Sequence, residues 1–138
     1  MTSSTPEQRR ADALRMAAMA EAGKRGEAQA AQVLIDGFVA SARERGLAPE
    51  PLMATQLDGR RVRTDKVGWY VNAKKSVAIG EAGQWYVLTV PSSTWGWLRG
   101  VKLQPSLPEL VVGRGGRDGE SGDLTDFLQR MLERGAGT

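Results

Sequence analysis

The apolar rhythm of the chain changes twice along its length. Helical spacing runs from residue 6 to 45, short strand-length runs occupy 52–90, and helical spacing returns after 123. Thr5-Pro6-Glu7-Gln8 has the residues of a capping box, with Thr5 as N-cap and Gln8 reaching back. The alanine, arginine, glutamate and methionine that follow are good helix formers. Gly23-Lys24-Arg25-Gly26 interrupts them with two glycines, each costing about 1 kcal/mol against alanine. This pattern predicts one helix near 6–22 and a second over 27–45. The second has a clear stripe of Ala31, Leu34, Ile35, Phe38 and Ala42. Gly46 supplies its stop, and Pro49 and Pro51 forbid continuation.

The strand-length runs begin with Leu52–Leu57 and Arg60–Thr64, joined by Asp58-Gly59, a pair suited to a type I′ hairpin turn. Val67–Val71, Ser76–Ile79 and Gln84–Val90 follow, separated by turns at Asn72–Lys75 and Gly80–Gly83. Ser92–Gly100 reads as a loop or a single helical turn, and Val101–Gln104 and Leu110–Val112 as further short strands. Five of the ten residues 113–122 are glycine. Ser121 or Asp123 then caps a helix with Leu124, Phe127, Leu128, Met131 and Leu132 on one face. The expected fold class is α+β: N-terminal helices, an antiparallel β-meander of short strands, and a C-terminal amphipathic helix packed on the sheet. The expected division is a helical N-terminal segment, 1–50, and a small α+β domain, 51–138.

Composition narrows the chemistry. The 138 residues include no cysteine and no histidine. Disulfides, thiolate nucleophiles, the commonest general base and the commonest transition-metal ligand are all missing. No two carboxylates are spaced as an acid/base pair, and the serines and threonines lack a histidine partner. A non-enzymatic protein with no catalytic residue, metal or cofactor is expected. No apolar run approaches a membrane span and none resembles a signal peptide, so the sequence predicts a cytoplasmic protein with no membrane partner.

Charge then points to a partner. The net +3 conceals a basic middle. Residues 51–105 carry eight basic residues (Arg60, Arg61, Arg63, Lys66, Lys74, Lys75, Arg99, Lys102) against Asp58, Asp65 and Glu81, a net of +5. The flanks, 1–50 and 106–138, come to zero and −2. Six aromatic residues fall in the same stretch: Trp69, Tyr70, Trp85, Tyr86, Trp95 and Trp97. Adjacent strand residues point to opposite faces, so each Trp-Tyr pair sends one ring to each side of the sheet. Basic residues beside stacking rings are how single strands are held without sequence readout. Arg60, Arg61, Arg63, Lys74 and Lys75, with Trp69 or Tyr70 as the stacking ring, are therefore the candidate nucleic-acid-binding residues. The turns at 58–59 and 72–75 are expected to bring the basic groups to adjacent strand ends.

A second candidate is the glycine loop. A strand, a glycine-rich turn and a helix N-terminus can cradle an anion, and Arg114 and Arg117 would add charge. Asp118, Glu120 and Asp123 oppose it, and the lysine of a phosphate-binding loop is absent. The alternative to nucleic acid is a protein–protein or oligomerisation module. The thin apolar face of the first helix would then pair with another protein or a second copy through residues 6–45.

Overall fold

The computed structural model describes residues 4–113 and 121–136. Thr5 opens the first element as expected. Its hydroxyl accepts from the Gln8 amide (3.1 Å), and its own amide donates to Gln8 Oε1 (2.9 Å). From there a single helix, α1 (Pro6–Glu44), runs for 39 residues. One helix stands where two were expected. Gly23 and Gly26 weaken it without ending it, because good helix formers surround them and no left-handed residue follows. At the true end both conditions change. Gly46 takes φ 71°, its amide bonds Arg43 O (3.2 Å), and the Leu47 amide bonds Ala42 O (2.8 Å). This is a Schellman stop.

Five strands follow: β1 (Glu50–Gln56), β2 (Arg61–Tyr70), β3 (Val77–Gly80), β4 (Trp85–Val87) and β5 (Thr89–Val90). Their order in the sheet is β4-β3-β2-β1-β5. Neighbours are antiparallel except β1 and β5, which are parallel, so the sheet is mixed rather than a pure meander. Residues 85–90 serve two neighbours in turn. They pair with β3 through Trp85–Val87, and past Leu88 they pair with β1, with the Thr55 amide donating to Leu88 O (2.7 Å). The sheet therefore curls round on itself.

Curling covers both faces of the sheet over 69–70, 77–79 and 85–86, while the Arg61–Asp65 part of β2 keeps one face exposed. Trp69, Val77, Ile79 and Trp85 join Ile35, Phe38 and Ala42 of α1 in one core cluster. Leu124, Phe127, Leu128 and Met131 of the C-terminal helix α3 (Leu124–Ala136) complete it. On the other face Leu52, Ala78, Tyr86 and Leu88 enclose Leu103, with Tyr70, Val90 and Val101 packed around them. Between these parts lie a one-turn helix, α2 (Gly96–Arg99), and a ribbon of β6 (Val111–Val112) against β7 (Gly122–Asp123). Only the second half of α1 reaches the core, through Ala28, Ala31, Ile35, Phe38 and Ala42. Residues 4–26 of the chain are exposed throughout. Among the described residues no helix is long and apolar enough to cross a membrane.

Candidate nucleic-acid interface

The β1–β2 hairpin sets the first basic groups. Its turn is not type I′, because Asp58 does not take positive φ and Gly59 alone does (88°). The Gly59 amide bonds Gln56 O (2.8 Å), the Gln56 amide bonds Arg60 O (2.8 Å), and Asp58 Oδ1 accepts from the Arg60 amide (3.0 Å). The result is a three-residue loop ending in a left-handed glycine. Beyond it Arg61 and Arg63 alternate with buried Val62 and share the exposed face.

This hairpin also holds the loop that follows β5. The Asp58 amide donates to Ser92 Oγ (3.1 Å) and Gln56 Nε2 to Ser93 O (3.3 Å); Gln56 is only 2% exposed. Ser93 Oγ then accepts from the Trp95 amide (3.3 Å). Trp95 is thereby presented with 61% of its surface exposed, and the Arg99 guanidinium lies 5.6 Å from its ring centre. Arg63 Nη2 reaches Leu98 O at 3.4 Å, joining α2 to β2.

The next segment is stitched to β2 as well. The Val101 amide bonds Arg63 O (2.8 Å) and the Asp65 amide bonds Val101 O (3.1 Å). Asp65 Oδ1 accepts from the Leu103 amide (2.9 Å), while Asp65 Oδ2 pairs with Lys66 Nζ (3.1 Å). The Leu103 amide, with Lys66 beside it, holds the Asp65 carboxyl below its ordinary range. Two hollows result. One, of about 390 Å³, lies between Arg63, Arg99 and Lys102. The other, of about 510 Å³, runs past Val87, Pro91 and Trp95 to Arg99 and Lys102. Arg60 borders a smaller hollow with Ser92 and Thr94. Arg99 and Lys102 thus stand beside one exposed ring, Arg63 shares the first hollow with them, and Arg60 borders the loop that leads into Trp95.

The other predicted residues lie elsewhere. Lys74 and Lys75 sit in the turn after β2, and β2 begins at Arg61. The two basic groups are therefore at opposite ends of one strand, about 30 Å apart at the usual rise per residue. They are not at adjacent strand ends. Lys75 has φ 57°, and its ammonium sits 5.0 Å from the centre of the Tyr70 ring.

Trp69 and Tyr70 do point to opposite faces, and both rings are half-buried. Trp69 Nε1 donates to Leu47 O (3.2 Å), and its ring meets Phe38 edge-on at 5.5 Å. The Tyr70 hydroxyl accepts from the Met53 amide (2.8 Å). The expectation of a free ring assumed one solvated face, and the curled sheet covers both. Trp95 carried a signal that strand reasoning passed over: it follows the polar run Ser92-Ser93-Thr94 in a loop and stands four residues before Arg99. Arg114 and Arg117 lie outside the described residues. The glycine loop itself joins β6 to β7 rather than leading straight into a helix.

Among the described residues no group of three or more His, Cys, Asp or Glu could hold a metal ion. Compared with known protein families, curated proteins and solved structures, the chain matches none.

Proposed function

We propose that this protein is a non-enzymatic binding module that holds single-stranded nucleic acid with little regard to sequence. The observation that carries the reading is Trp95, an exposed indole with the Arg99 guanidinium 5.6 Å from its ring centre and Lys102 on the same hollow. A base laid on that ring gains stacking energy whatever its identity. Arg99 and Lys102 beside it, with Arg60, Arg61 and Arg63 of the β1–β2 hairpin, would meet the neighbouring phosphates. Of the neighbouring acids, Asp65 is offset by Lys66. Lys74 and Lys75 would meet only a strand long enough to follow β2 to its far end.

The test is fluorescence anisotropy with labelled single- and double-stranded DNA and RNA across a salt series. Replacing Arg61 and Arg63 by alanine should weaken all sequences alike and shallow the salt slope by about 0.7 for each phosphate no longer neutralised. Trp95→Ala should weaken single-strand binding by about 1–3 kcal/mol with the slope unchanged. Lys74→Ala with Lys75→Ala should matter for long strands and not for short ones. Absence of salt-dependent binding in the wild type sinks the reading. If the double arginine variant binds normally while Arg114→Ala and Arg117→Ala fail, the site is the glycine loop instead.

A further inference from the structure

The buried stripe of α1 is Ala28, Ala31, Ile35, Phe38 and Ala42, a strict alternation of three and four residues. Continued toward the N-terminus, the same alternation falls on Lys24, Glu21, Ala17, Leu14, Arg10 and Glu7. The spacing continues along the whole helix, but its uncovered half is mostly charged, with Leu14 and Ala17 as its apolar positions. The open half includes Leu14, 67% exposed.

Its residues complement one another in one arrangement. In an antiparallel pair of identical helices, facing positions have numbers with a constant sum. Taking that sum so that Leu14 faces Ala17, Glu7 faces Lys24 and Arg10 faces Glu21. Two-fold symmetry repeats each meeting, giving four opposite-charge pairs around a small apolar centre. A parallel pair would set every charge against its own copy. The flanking positions Ala11, Ala13, Ala18 and Ala20 are all alanine, so the helices can approach closely. The ends match as well. The body first grips α1 at Glu27, whose carboxylate accepts from the Leu110 amide (3.1 Å). In this register the partner's Thr5 cap lies opposite Gly26, so the partner helix starts where the free arm stops. Among the described residues neither Glu7–Arg10 nor Glu21–Lys24 forms an ion pair within the helix, and the ion pair found in the arm is Arg15–Asp12, off this line.

We infer that the N-terminal arm of α1 is a self-complementary docking surface whose occupant is the same arm of a second copy, antiparallel and in this register. The inference is independent of nucleic-acid binding, which involves none of these residues. The wild-type chain should behave as a dimer in light scattering and sedimentation over a concentration series. Arg10→Glu sets Glu against Glu21 twice, and Glu21→Arg sets Arg against Arg10 twice. Each should raise the dissociation constant at least about tenfold, and the double variant should restore pairing. The substituted positions are exposed, so circular dichroism should be unchanged. Because the chain lacks cysteine, oxidation of a chain carrying both Leu14→Cys and Ala17→Cys should cross-link the pair readily, whereas Leu14→Cys alone should not. A monomeric wild type, an undisturbed Arg10→Glu dimer, an unrestored double variant, or cross-linking by Leu14→Cys alone would each overturn the proposal.

Discussion

Asn72 holds the turn between β2 and β3 with one buried amide. Its Oδ1 accepts from the Ser76 and Val77 amides (3.0 and 3.3 Å), and its Nδ2 donates to Ser76 Oγ (2.7 Å). Three residues on, Lys75 completes the turn in the left-handed region, its amide bonding Asn72 O (3.1 Å). Asn72→Ala strips two backbone donors of their acceptor and should cost about 1–3 kcal/mol. Lys75→Val should cost about 1–2 kcal/mol, because a side chain branched at Cβ fits that conformation poorly, whereas Lys75→Gly should be tolerated. Urea midpoints measure all three. The turn was legible in the sequence as a polar break; its mechanism was not, since a conformation with positive φ is expected of glycine before lysine.

The strand β2 is two elements joined by a bulge. Met53 faces Arg63 while Pro51 faces Val67, so two extra residues are accommodated on the β2 side. Thr64 Oγ1 fills the gap, donating to Leu52 O (2.8 Å), and Asp65 is freed to catch the Leu103 amide. Because the folded state depresses the Asp65 pKa below its ordinary 3.8, the stabilisation is present above that value and is lost as pH falls through the lower folded one. Between pH 5 and pH 3, a range of about two units spanning that ordinary value, the wild type should therefore lose more stability than Asp65→Asn. The difference should stay under about 1 kcal/mol, since the group is exposed and screened. Chemical denaturation at each pH reads it. Strand positions and the C-terminal helix were legible because alternation and helical spacing are local signals. The bulge, the parallel β1–β5 pairing and the single unbroken α1 were not, because each depends on partners distant in sequence or on a stop signal that never arrives. The candidate site divides in the same way. Its arginines could be read from charge alone, whereas the exposure of Trp95 depends on Gln56 and Asp58 holding a loop some thirty-five residues further along.

At the scale of the whole molecule, the stretch 85–90 belongs to β3 at one end and to β1 at the other. This divided pairing has a consequence for the order of folding. The β1–β2 hairpin closes a loop of three residues and forms from its own local contacts. The β1–β5 pairing must close a loop of about thirty residues, which costs far more chain entropy. The hairpin should therefore be formed in the rate-limiting state and the closure should follow it. Leu88→Ala removes a fully buried side chain and should destabilise by about 2–5 kcal/mol, appearing almost wholly as faster unfolding. Val62→Ala, in the hairpin, should instead slow folding. Chevron plots of the two variants separate these cases; equal slowing of folding by both would mean that the ring closes early. If closure comes last, it is also the first pairing to open, and the lifetime of the folded protein is set by how long Leu88 stays in place.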